Sequence, residues 1–234
     1  LSGAPPLAEV MMVERDIRLV QMTGGCLHLS KISTAESIEV IARAKDRGLR
    51  ITCDTAPPYF ALNDLAVGDY RTFGKLVPPL RSEADRAACI EAVVDGTIDC
   101  FATDHAPHTA DEKSRAFVEA PFGIVGLETA LALTLTYLVR PGHLTLARAI
   151  ELWTEAPRRV FGLPAIALEP GSRADLVLFD PDAEWTVEPN DFYSKGRNTP
   201  FAGWTLHGRV LMTMLAGRVT HRAASFAPVA ESVQ

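Results

Sequence analysis

The chain is 234 residues long, 47% hydrophobic, 22% charged and 7% aromatic, with a formal net charge of −6. That balance describes an ordinary folded protein and excludes disorder, collagen and coiled coil as its main character. No apolar run reaches the roughly 18 residues a membrane helix requires, and no basic stretch offsets the acidic charge to make a nucleic-acid footprint.

In chain order, Val10, Val13, Ile17 and Val20 share one helical face, predicting a helix from Leu7 to Met22 that Gly24 and Gly25 end. Cys26 to Ser30 reads as a buried strand. Ser33 or Thr34 then caps a helix running to Arg47, with Gly48 as its stop. Leu49 to Asp54 reads as a second strand, followed by a Pro-rich loop from Ala56 to Pro79. Ser82 with Asp85 opens a third helix that Gly96 closes, and Ile98 to Thr103 is a third strand. An apolar helix is predicted from Gly126 to Val139, then shorter ones over Leu146–Trp153 and Pro157–Phe161.

Strands and helices alternating at this spacing imply an α/β fold built of parallel βα units. Chemistry in such folds gathers at the carboxyl ends of strands, where Lys31, Asp54 and Asp104 stand. From Ala167 the pattern changes to short strands and turns: Asp175 to Asp180, Trp185 to Val187, His207 to Met214 and Ala216 to His221. The chain thus divides into an α/β part, residues 1–165, and a small β module, residues 166–234, with a frayed tail after Arg222. Cys26, Cys53, Cys89 and Cys100 form no CxxC pair, as expected of reduced, mostly buried thiols in a cytoplasmic protein.

Asp104-His105-Ala106-Pro107-His108 leaves a strand with a carboxylate and two imidazoles, groups that bind metal and accept protons. Phe122 and Gly123 precede Gly126 at a helix entry, where free backbone N–H groups can hold an anionic or carbonyl oxygen. Gly68 to Gly74-Lys75 is not a phosphate loop: its spacing is too long, and Leu76 stands where a hydroxyl is required. Neither GxGxxG nor GxSxG occurs, which removes support for dinucleotide binding and serine-hydrolase chemistry. Strand alternation places His28 and Lys31 on opposite faces. If Lys31 points into the site, His28 is a core histidine turned toward the covering helices.

These clusters resemble the dihydroorotases of the amidohydrolase superfamily, the type found with aspartate transcarbamoylase. The resemblance rests on Ser33-Thr34-Ala35-Glu36-Ser37, Pro78-Pro79-Leu80-Arg81, Asp95 to Asp99, Ala102 to His108, Ala120 to Thr129, Ala174 to Asp180 and Lys195 to Phe201. It implies a zinc-dependent (β/α)8 TIM-type barrel carrying a small β domain, in which a metal-bound hydroxide attacks the ring amide of dihydroorotate. Asp104 would ligate metal and shuttle the proton; His108, Phe122 and Gly123 would hold the small-molecule substrate.

Measured against that family, Lys31 stands where a metal histidine precedes Ser-Thr, Val77 where a substrate-binding Asn precedes Pro-Pro-Leu-Arg, and Pro57-Pro58 where Pro-His is usual. The resemblance aligns the chain with the later part of the barrel, about strands 6 to 8, with Asp104 as its single family metal ligand and zinc held weakly. The chain alone is then expected to be inactive, and its open sheet edges to be covered by an N-terminal half or by a homo-oligomer. The alternative is a dihydroorotase-like protein without catalysis, serving as a structural partner of aspartate transcarbamoylase. A hydantoinase or dihydropyrimidinase activity is a weaker third.

Overall fold

A computed structural model describes residues 3–226, so residues 227–234 of the expected tail lie outside the described part. Helix α1 (Pro6–Thr23) places proline in its first turn, buries Val10, Val13, Ile17 and Val20, and stops at Gly24, whose φ of 66° needs no Cβ. Strand β1 (Leu27–Leu29) leads to α2 (Ala35–Asp46), capped by Thr34, whose side-chain oxygen accepts from the Ser37 amide. Strand β2 is Ile51–Thr55.

The stretch expected to be a loop then forms a short helix, α3 (Pro57–Ala61), all of it buried. Two prolines suggest irregular chain, but in a first helical turn proline gives up only an amide that has no partner there anyway. Helix α4 (Glu83–Asp95) carries the Ser82–Asp85 capping box, and Gly96 ends it at φ 87°. Strand β3 is only Cys100–Phe101. The ladder nevertheless reaches one residue further each way, because Asp99 N donates to Cys53 O and Ala102 N to Thr55 O.

These strands form a parallel sheet in the order β1-β2-β3, with Leu29 opposite Cys53 and Asp54 opposite Cys100. One face carries Leu29, Ile51, Cys53 and Phe101 into the main core beside Ile41, Ala44 and Val93. Phe101 packs on Phe60 of α3 and on Trp153. By strand alternation the other face carries His28, Ser30, Thr52, Asp54 and Cys100.

After a four-residue helix α5 (Ala110–Lys113), helix α6 (Ala130–Thr134) begins later than expected and continues as a π-helical turn, Leu135–Val139. Before it, Gly126 is pressed against the exit of β3: a Cβ there would stand 2.1 Å from Thr103 O. Helices α7 (Leu146–Trp153) and α8 (Glu155–Val160) complete this part.

The remaining strands, β4 (Leu176–Thr186), β5 (Thr205–Leu215) and β6 (Arg218–Arg222), form an antiparallel sheet in that order. Trp185, expected on a separate strand, belongs to β4. The register shifts between Asp180 and Glu184, a bulge that takes up Pro181, which cannot donate to a ladder. This sheet seats on the π turn: His207 N donates to Thr136 Oγ1 at 2.9 Å, and a Cβ on Gly208 would lie 2.2 Å from Leu135 Cδ1. Phe201 and Leu206 join the main core. The whole is an α/β arrangement consistent with part of a TIM-type barrel and a small sheet.

Candidate active site

Asp104 follows β3 and Lys31 follows β1, and both have positive φ, 48° and 61°. A non-glycine residue held there costs about 1–3 kcal/mol and persists only where its surroundings fix it. The turns aim the two side chains at each other. Lys31 Nζ donates to Asp104 Oδ1 at 3.0 Å and to the Val77 carbonyl at 3.1 Å. Among the described residues no donor reaches Asp104 Oδ2. Tyr59 of α3 donates to Pro78 O at 2.9 Å. Burial, and after it the charge of Asp104, raises the Tyr59 phenol well above its ordinary range.

Deeper on the same face, His28 Nε2 meets Asp54 Oδ2 at 2.8 Å while its Nδ1 meets Thr52 Oγ1 at 2.8 Å. Asp54 Oδ1 also accepts the Lys31 amide at 2.7 Å. His28 is therefore satisfied, as expected of a core histidine, and its ring packs edge-on against Phe161 at the end of α8, but it shares Asp54 with Lys31 rather than standing on the opposite face. The alternation argument fails because Lys31, at φ 61°, is no longer extended chain. His28, Asp54 and Cys100 bring one ligand atom each to within 4.8 Å of one another, a group that could hold a metal ion. Burial pushes the Cys100 thiol up to about 12.

The Phe122–Gly123 segment is braced from three sides. Lys75 Nζ donates to the carbonyls of Phe117, Val118 and Ala120, and sits 4.5 Å from the Phe122 ring centroid. Lys113 Nζ donates to Pro121 O and Gly123 O, both at 3.0 Å. Burial first, then the charge of Lys75, pushes Lys113 down to about 8. Asn198 takes the third side: its Oδ1 accepts from His108 N at 2.9 Å, and its Nδ2 donates to Ala106 O and Gly123 O. Gly123 is required here, since at φ 116° a Cβ would come 2.4 Å from the Ala106 Cβ.

The amides expected to be free at this glycine-rich entry are engaged by the chain itself. Gly123 N donates to Lys75 O and Val125 N to Asn198 O. Gly126 N and Leu127 N both point at His105 Nδ1, at 3.2 and 3.4 Å, so that nitrogen is the unprotonated one. His108 Nε2 donates to Phe122 O at 2.9 Å, and its Nδ1 lies 3.5 Å from Glu112. The Phe122 side chain is exposed, at 52%, as is Val77 beside Lys31, at 47%.

The structure thus brings together Asp104, Lys31 and Val77 in one group and His108, Phe122 and Gly123 in another. The latter loop is tied to the Asp104 exit through His105 and Ala106. Lys75 entered the sequence reading only in a rejected phosphate loop, Asn198 only within the resembling Lys195–Phe201 segment, and Lys113 not at all, because side chains bonded to backbone groups carry no sequence signature. As a zinc site the residues around Asp104 do not fit. The partner of Asp104 is an ammonium, which has no lone pair, and the Val77 carbonyl is already bonded to that same ammonium.

A sequence model described as the amidohydrolase family matches residues 7–220. The chain is 47% identical over 222 residues to a dihydroorotase of Desulforapulum autotrophicum, covering 95% of this chain and 52% of that protein. It is 51% identical over 223 residues to a dihydroorotase of Anaeromyxobacter dehalogenans, covering 94% and 51%. The chain spans about half the length of the curated relatives it matches. Among solved structures, the L-hydantoinase (dihydropyrimidinase) of Arthrobacter aurescens superposes with a TM-score of 0.87 at 29% identity, over 93% of this chain and 49% of that one. The dihydropyrimidinase of Brevibacillus agri gives the same TM-score at 26% identity.

Proposed function

The chain belongs to the amidohydrolase family, and from that premise we propose that its parent protein is a dihydroorotase. It would interconvert dihydroorotate and N-carbamoyl-L-aspartate in pyrimidine synthesis, in the cytoplasm. The observation that carries this reading is identity of about half the residues with proteins named dihydroorotase across nearly the whole chain. The solved hydantoinases are less similar in sequence, so they support the fold and the cyclic-amide chemistry rather than the substrate. In hydrolysis a water oxygen bonds to the ring carbonyl carbon, the carbon–nitrogen bond breaks, and the water proton passes to the departing nitrogen. We read Asp104, whose Oδ2 accepts from no donor among the described residues, as the group that would carry that proton. The loop of His108, Phe122 and Gly123 would border the substrate. Zinc in the parent would have to be held chiefly by residues outside these 234. The same reading divides the chain into barrel residues 1–165 and β-module residues 166–234.

A second reading is favoured by one observation, the Lys31–Asp104 pair: a protein without catalysis that assembles with aspartate transcarbamoylase. A dihydroorotate hydrolysis assay on the full-length parent separates the two. Turnover that Asp104→Ala abolishes supports the enzyme. No turnover, together with a rise in transcarbamoylase activity or assembly on mixing, supports the partner.

A further inference from the structure

We propose that Lys31 is the resident cation of this site: its ammonium group, rather than a divalent metal, neutralises Asp104 and closes that carboxylate to metal. The inference concerns this chain's own residues and holds whichever activity the parent has.

The geometry is that of a built pair. Lys31 and Asp104 lie 73 positions apart, on turns after different strands, yet their charged atoms meet at 3.0 Å. Each turn holds its residue at positive φ. The Lys31 backbone is anchored separately, its amide donating to Asp54 Oδ1 at 2.7 Å. The ammonium is held a second time, by Val77 O at 3.1 Å. With side-chain exposures of 31% for Lys31 and 12% for Asp104, the carboxylate is the more enclosed partner. A carboxylate so placed needs a counter-charge, and the chain supplies one. A metal ion approaching Oδ1 would meet a fixed positive charge within contact distance, and the repulsion is strong where water is scarce.

The test measures zinc affinity in the full-length parent by calorimetric titration, as a cycle of Lys31→Met, Asp104→Asn and the double variant. The expected result is that Asp104→Asn leaves zinc affinity unchanged while Lys31 is present. Lys31→Met should then tighten zinc binding by about tenfold or more, as befits a ligand gained, and the double variant should lose that gain. Lys31→Gln, which keeps an N–H donor but no charge, should behave like Lys31→Met, and it serves if the methionine variant does not fold. Asp54→Asn, run alongside, reports any zinc taken by the His28–Asp54–Cys100 group. The proposal is overturned if Asp104→Asn weakens zinc binding about tenfold or more in the presence of Lys31. It is equally overturned if removing the Lys31 charge leaves zinc affinity unchanged.

Discussion

Lys113 is 3% exposed and has backbone carbonyls, rather than a carboxylate, as its hydrogen-bond partners. Its value is pushed down from 10.5 to about 8, so folding disfavours the charged form. Below about pH 8 folded and unfolded chains both carry the proton and the penalty is present in full. Between there and 10.5 the folded chain has released its proton and the unfolded chain has not, so stability rises with pH. Urea unfolding of wild type and Lys113→Met should therefore shift in favour of the wild type between about pH 7.5 and about pH 9.5. A constant difference would show that Lys113 stays charged throughout. Asn198 acts on the same loop by hydrogen bonds alone. Asn198→Ala leaves His108 N and Ala106 O without their partner and should cost about 2–3 kcal/mol in chemical denaturation. Asn198→Asp should not restore the loss, since a carboxylate oxygen would then face Ala106 O.

Helix α4 is joined to α2 by one side chain. Asp85 Oδ2 completes the capping box with Ser82, and Asp85 Oδ1 accepts the amide of Ala35, the first residue of α2. Removing a cap of this kind costs about 1 kcal/mol, the effect expected for Ser82→Ala. Asp85→Ala should cost measurably more, because it strips two helix starts; equal midpoints in urea would exclude the shared role. These caps and the spacing of Val10, Val13, Ile17 and Val20 are why α1, α2 and α4 were legible in the sequence. The short α3 was not, since its prolines are compatible with both a loop and a first helical turn, and only its burial decides. The site was legible in a similarly divided way. Asp104 and Lys31 announced themselves by standing at strand ends. Their pairing did not, because it depends on two positive-φ turns that side-chain type does not reveal. The carbonyl cages of Lys75 and Lys113 were hidden for a related reason: acceptors on the backbone belong to every residue alike.

At the scale of the molecule, the parallel sheet β1-β2-β3 carries a polar face, His28 to Asp54, opposite the face that packs on α2 and α4, as a barrel interior would be lined. The antiparallel sheet is no appendage to it. Ser194 N donates to Glu128, Val125 N to Asn198 O, and Gly208 lies against Leu135, so the two parts meet along several separate seams. Between them runs a stretch, residues 161–173, that is exposed and without helix or strand. Such a stretch is the natural point of proteolytic attack. Limited digestion should cut there, giving two bands on a denaturing gel and one peak in native size exclusion; separation of the pieces without denaturant would refute this. The chain would then behave as a two-piece protein whose halves recognise each other without a peptide bond. Asn198, a single amide threaded between the loops of the opposite half, would serve as the latch.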